Sequence, residues 1–337
     1  MNIKLLLIIM KHTTHLKEIA YELGLSINTI SRALRDCSDI SDQTKQLVRE
    51  KAIEMGYIPN SVSQCIKQDT RLLCAFLVNN MKNLYFSIIC DNFAAGLKKE
   101  KMDFSLMYQD ENKVSLETIK KCISQRVDVV ITFYEPTDEA ISLANLYKIQ
   151  IVNIGNAKKE GLFSIKPNNE QGGKIAADYL LRAHSGTQYL YIGPKNFSDS
   201  IERFASFKSE IFENNPDAKI KCVYCDQGDD PFNILEEIYD GYLNIFCFND
   251  DIAYHLLEKL NSLIPNIRKI FPRLHIVGFD CISERIPGAV DITSVNFDYM
   301  SIVSETIKYI KNTRNGINTN SSIVTVPTYL HTRIIIS

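Results

Sequence analysis

From Arg71 onward, short apolar runs alternate with longer stretches whose apolar residues recur at helical spacing. Few folds accommodate that pattern. Leu72–Val78 is an almost unbroken apolar run, Tyr85–Lys101 reads as an amphipathic helix, Phe104–Tyr108 as a strand and Ser115–Gln125 as a helix. Strands at Val127–Phe133 and Ile149–Ile154 bracket a helix at Thr137–Lys148, and Glu170–His184 is helical. The series then restarts, with strands at Tyr189–Ile192, Ile220–Tyr224, Ile245–Phe248 and Leu274–Phe279. Helices at Ile201–Asn214, Pro231–Tyr242, Asp250–Leu263 and Tyr299–Asn315 lie between and after them. Strands that are apolar on both faces are the mark of parallel strands covered by helices, and repeated βα units make a doubly wound α/β sheet. Two such series predict two lobes.

The stretch before Arg71 follows a different rule. Leu16, Ile19, Ala20 and Leu23 fall on one helical face. Gly24 then ends the helix, as glycine does where a turn passes through the left-handed region. Ser26 is a good N-cap for a second helix that turns Ile30, Ala33 and Leu34 inward. Its outward side carries Ile27, Asn28, Thr29, Ser31, Arg32 and Arg35, and no acid occurs between Gly24 and Asp36. A short helix, a glycine turn and a short polar helix bearing arginines form a helix-turn-helix, whose second helix enters the DNA major groove. Ser41 caps a third amphipathic helix containing Leu47, Val48, Ala52, Ile53 and Met55, which ends at Gly56. Ser61–Gln68 is too short and too poor in helix formers to be helical alone.

The segments LKEIA (Leu16–Ala20), GLS (Gly24–Ser26), TISRAL (Thr29–Leu34), the Ser41–Thr44 cap and GYIPN (Gly56–Asn60) together resemble the LacI/GalR family of bacterial transcriptional regulators. The resemblance implies a helix-turn-helix DNA-binding head over residues 10–60, a hinge over 61–70 and a two-lobed, periplasmic-binding-protein-like effector and dimerisation domain over 71–337. It implies DNA contacts from Leu16, Ser26, Ile27, Asn28, Thr29, Arg32, Arg35, Ser41, Thr44, Tyr57 and Asn60. Ile66 is the aligned hinge wedge, a residue that unstacks a minor-groove step and bends the duplex. The implied partners are operator DNA of near-palindromic sequence, a second copy of the chain, and a small effector of carbohydrate type.

In open parallel sheets, ligands sit beyond the C-terminal strand ends. The residues there are Tyr85 and Phe86, whose rings could stack on a sugar face, then Tyr134, Arg203, Asn249, Asp250 and Asp280. The resemblance identifies Arg203 as an effector-binding arginine, and a guanidinium can fork two hydroxyls or a carboxylate. Carboxylates beside amides suit sugar hydroxyls, which donate and accept at once. Plainer roles exist too: Asp250 as a helix cap, Arg203 in a surface salt bridge. Asn168-Asn169 stands where the family often has Asp-Asn, and Phe297 and Gly155 replace polar effector-site positions.

A chain of 337 residues with 45% hydrophobic residues has enough apolar mass for several cores. A net charge of −2 excludes polyanion binding by bulk charge, so any DNA affinity must come from where the charges are placed. Nine cysteines, an odd and scattered set, predict free thiols in a reducing cytoplasm. Cys222 and Cys225 form a lone C-x-x-C with no second pair, read as one buried and one half-exposed thiol. MNIKLLLII at the start is too short an apolar run, without a small-residue cleavage site, to read as a signal peptide. The simpler expectation places the start of translation at Met10. No G-x-G-x-x-G, P-loop, G-x-S-x-G or H-E-x-x-H occurs, so no enzyme activity, cofactor or metal is expected. The competing readings are a sugar-binding receptor and an α/β enzyme with a fused helical domain.

Overall fold

The computed structural model describes residues 16–34, 37–57, 71–79, 81–109, 111–157, 159, 161–183, 186–225, 234–286, 292–317 and 323–332. The expected sites Arg35, Asn60 and Ile66, the hinge 61–70 and the start at Met10 lie outside the described residues. In chain order the elements are α1 (Leu16–Leu23), α2 (Ile27–Leu34), α3 (Asp42–Glu54), β1 (Leu73–Val78), α4 (Leu84–Lys99), β2 (Asp103–Tyr108) and β3 (Lys113–Val114). There follow α5 (Leu116–Ser124), β4 (Val129–Thr132), β5 (Glu135–Pro136), α6 (Asp138–Leu146), β6 (Gln150–Ile154), β7 (Phe163–Pro167), α7 (Asn169–Ala183) and β8 (Gln188–Gly193). Next come α8 (Ser198–Asn214), β9 (Lys219–Tyr224), α9 (Leu235–Tyr239), β10 (Asn244–Cys247), α10 (Asp250–Leu263), α11 (Ile267–Ile270) and β11 (His275–Phe279). A 3-10 turn at Ile282–Arg285, β12 (Thr293–Phe297), α12 (Tyr299–Arg314), β13 (Ile323–Val326) and β14 (Thr328–His331) complete the chain. Two compact units result: Met1–Asn79 with Leu97–Val152, and Asn80–Gly96 with Asn153–Ser337.

In the first unit, α1–α3 close over their own core of Ile19, Ala20, Ile30, Ala33, Val48 and Ala52. Gly24 has φ 62°, and the Leu25 amide donates to Ala20 O at 3.0 Å, a left-handed helix ending that side-chain-bearing residues disfavour. Val48 and Ala52, one turn apart, set the inward face of α3. Leu47 and Ile53, each one residue to the side of that pair, are 50% and 79% exposed, so α3 is less amphipathic than its composition predicts. Farther along, β1 lies between β2 and β4 with parallel pairing to both.

In the second unit, six strands form one sheet in the order β14-β12-β11-β10-β8-β9. All its pairings are parallel except β12–β14, which is antiparallel. Only Pro327 separates β13, which pairs in parallel with β7, from β14. β7, β12, β13 and β14 escape the sequence reading because polar residues interrupt them, as Lys166 and Asn296 do. The helix expected at Pro231–Tyr242 is described only as the short α9. Among the described residues no helix is long and apolar enough to cross a membrane.

Gly172 and Gly173 seat α7 against its neighbours. A Cβ on Gly172 would lie 2.4 Å from the Phe279 ring, and one on Gly173 would lie 2.4 Å from Arg203 O and 2.1 Å from Ser206 Oγ. Because backbone cannot yield as a flexible side chain does, Gly173→Ala is expected to push α7 and α8 apart and cost about 1–3 kcal/mol. Urea unfolding of the variant, with its midpoint against the parent's, measures that cost.

Candidate functional site

Two groups of residues carry the functional reading, one in each unit. In the head, Ser26 Oγ accepts from the Thr29 amide at 3.0 Å and so starts α2. Ser26, Ile27 and Asn28 are exposed, Thr29 and Arg32 partly so, and the opposite face is buried through Ile30 and Ala33. Ser41 repeats the device for α3, accepting from the Thr44 amide, and the two hydroxyls lie 2.8 Å apart. The first turns of α2 and α3 thus each present a hydroxyl pair. Leu16 and Tyr57 pack partly buried on the head core, and the Tyr57 amide donates to Ala52 O at 2.8 Å. On α3, Lys45 pairs with Asp42 and Lys51 with Glu54, so much of the basic charge is locally compensated.

In the second unit, Arg203 of α8 is the centre of a buried polar cluster. Its Nε donates to Asn169 Oδ1 at 2.8 Å and Nη1 donates to Phe248 O at 2.6 Å. The guanidinium lies 3.4 Å from the Phe279 ring centroid and 4.6 Å from that of Phe248. Arg203 is 4% exposed, which removes the surface salt bridge as an explanation. Asn169 Nδ2 donates to Asp199 Oδ1 at 3.0 Å and to Glu202 Oε2 at 3.2 Å. Glu202 also accepts from Asn156 at 2.7 Å and pairs with the buried Lys166 of β7.

The cap of α10 is Asn249, whose Oδ1 accepts from the Ile252 amide at 3.0 Å. Asp250 is therefore not the cap. Its carboxylate accepts from Ser294 Oγ at 2.7 Å and from the Ile282 amide at 2.9 Å. Gly278 makes room for it, since a Cβ there would fall 2.0 Å from Asp250 Oδ1. Burial pushes Asp250 up to about 7, against the bonds from Ser294 and Ile282 and the charge of Arg203. Asp280 has φ 97°, an uncommon conformation for a side-chain-bearing residue, and is fixed by its amide donating to Val295 O at 2.9 Å and by Tyr299 Oη donating to its carbonyl at 2.7 Å. Burial drives its carboxyl far above the usual range, and Arg203 opposes the shift. Burial also raises Asp199.

Aromatic rings complete the cluster. Tyr85 lies 5.6 Å from Phe86 and 6.0 Å from Tyr299 between centroids, and Phe297 packs 4.5 Å from Tyr299. Phe297 is 1% exposed. Asn83 holds the start of α4, its Oδ1 accepting from the Tyr85 amide at 2.9 Å. Tyr134 lies in the first unit, where its hydroxyl bonds the Asn79 side chain. Of the expected effector residues, Tyr85, Phe86, Arg203, Asn249, Asp250, Asp280 and Phe297 all fall in the second unit. Asp199, Glu202, Phe248 and Tyr299 join Arg203 and Asp280 without a signal of their own in the sequence, and Asn169 was marked only by the Asn168-Asn169 pair, which stands where the resembled family often has Asp-Asn. Hydrogen-bond donors and acceptors beside aromatic rings suit a polyhydroxylated ring, with hydroxyls for the polar groups and a C–H face for the aromatics. Cys222 is half-buried and Cys225 buried, both free thiols, and no group of metal-ligating side chains occurs among the described residues.

Residues 15–60 match the family described as "Bacterial regulatory proteins, lacI family". The chain is 23% identical over 271 residues to a ribose operon repressor of Lactococcus lactis subsp. lactis (strain IL1403), covering 79% of this chain and 81% of that protein. Its fold is similar to that of a periplasmic binding protein/LacI transcriptional regulator from Alkaliphilus metalliredigens QYMF complexed with D-xylulofuranose, at TM-score 0.64 and 22% identity, covering 77% of this chain and 97% of that one. It is also similar to a lac repressor dimer bound to operator and the anti-inducer ONPF, at TM-score 0.63 and 17% identity, covering 95% and 98%.

Proposed function

We propose, on the premise that this chain belongs to the bacterial regulatory proteins of the lacI family, that it is a ligand-responsive transcriptional repressor. A homodimer grips a near-palindromic operator through two heads, and a small carbohydrate at the Arg203–Asp280 cluster sets how tightly. The observation that carries this reading is α2: an acid-free helix whose exposed side offers Ile27, Asn28 and Arg32. A sugar effector is supported by the relatives, among them a ribose operon repressor, and by the ring-lined polar cluster around Arg203. Effector and operator affinities are then reciprocally coupled. This reading has no catalytic step, and its place of action is the cytoplasm, where the chromosome lies.

Within this reading, Arg32 forks guanine O6 and N7, while Ser41 and Thr44 hold phosphate or sugar. Arg32→Ala is expected to lose about ten- to a hundredfold in discrimination at one base pair per half-site. Ser41→Ala is expected to weaken all sequences about equally. Selection of bound DNA from a random library by the full chain, followed by titration with ribose and related sugars, tests the proposal. Recovery of a two-fold symmetric motif whose affinity shifts with one sugar supports it. Recovery of no motif would sink it.

A further inference from the structure

Arg32 and Asp39 form an ion pair across the turn that joins α2 to α3. Their side chains are 41% and 50% exposed, so both lie within reach of a ligand on this face. The hydrogen bond between them is the main cause that raises Arg32 and lowers Asp39 from their ordinary values. Arg32 Nε is itself buried without a hydrogen-bond partner among the described residues, so Asp39 at the Nη2 end is what fixes the fork. An acid on a surface meant for phosphates repels them and needs a compensating use. A long arginine also loses rotamer freedom when it docks on a base edge, and a side chain already held loses less.

We propose that Asp39 is a positioning residue for base reading, holding the Arg32 guanidinium so that its Nη1 side meets one guanine per half-site. The inference rests on the reading of α2 as the base-reading helix. Asp39 acts through Arg32 and touches no base. Its value lies in discrimination rather than affinity, because its charge weakens contact with every sequence while its grip on Arg32 favours one.

The test compares binding-site profiles of the full-length parent, Arg32→Ala, Asp39→Asn and the double variant, with thermal melts to confirm folding. Asp39→Asn is expected to flatten the preference at the same base pair as Arg32→Ala, by about three- to tenfold, and to tighten binding to unrelated DNA. The double variant is expected to match Arg32→Ala alone at that base pair. An Asp39→Asn profile that keeps the parent's preference there overturns the inference, as does an effect that adds fully to that of Arg32→Ala. A parent that selects no sequence overturns the regulator reading itself, which separates the two failures.

Discussion

Arg203→Ala is expected to lower the melting temperature by on the order of 10 °C and to abolish the effector's influence on DNA binding. The guanidinium satisfies Asn169 Oδ1 and the Phe248 carbonyl, covers the Phe279 ring, and opposes the upward shifts of Asp199, Asp250 and Asp280, joined at Asp199 by Lys166. Removing one partner of a buried charged network costs about 3–5 kcal/mol, because the groups left behind are neither hydrated nor paired. Arg203→Lys is expected to recover little, since an ammonium cannot serve two acceptors in the guanidinium plane and lie flat on a ring. Thermal melts and operator titrations with and without sugar measure both effects. A variant that melts with the parent and still responds to sugar would remove Arg203 from the centre of the site.

The second large effect is a dependence of stability on pH. Asp250 titrates at about 7 in the folded chain, against an ordinary carboxyl value near 4 when unfolded. Asp280 is displaced in the same direction. The folded state therefore holds protons that the unfolded state releases. Their stabilising contribution is full below about pH 4, fades as the pH climbs to about 7, and is gone above it. From Asp250 alone, about 2 kcal/mol is expected to disappear between pH 5.5 and 7.5. Denaturant unfolding at the two pH values measures it, and Asp250→Asn, which has no proton to lose, is expected to give the flatter dependence. Equal slopes for parent and variant would show that Asp250 does not titrate in that window. A ligand that donates hydroxyls to Asp280 competes with its proton, so effector affinity is coupled to the same equilibrium.

The sequence by itself determined the head helices and most of the buried parallel strands. Ser26 and Ser41 announce helix starts, and Gly24 and Gly56 with positive φ announce helix ends, because capping and chirality act within a few residues. Apolar runs such as Leu73–Val78 announce buried strands for the same reason. It also singled out Asp280, which follows β11 at the strand end where parallel sheets place ligands, while Arg203 was marked by the family resemblance. Only the tertiary structure decided what these residues do. Ser294 and Ile282 reach Asp250 from parts of the chain 44 and 32 residues away, and Gly278 leaves the space for it. Asn169 is brought to Arg203 from 34 residues earlier by two helices that touch through Gly173. Asp39 reads in the chain as one more surface acid, and becomes Arg32's partner through the turn between α2 and α3. β14 pairs antiparallel with β12, an orientation that its own residues do not announce. Patterning reports the face on which a residue lies. Which groups meet on that face, and so which carboxyl keeps its proton and which guanidinium is buried, follows from contacts between distant parts of the chain, and these only close packing can fix.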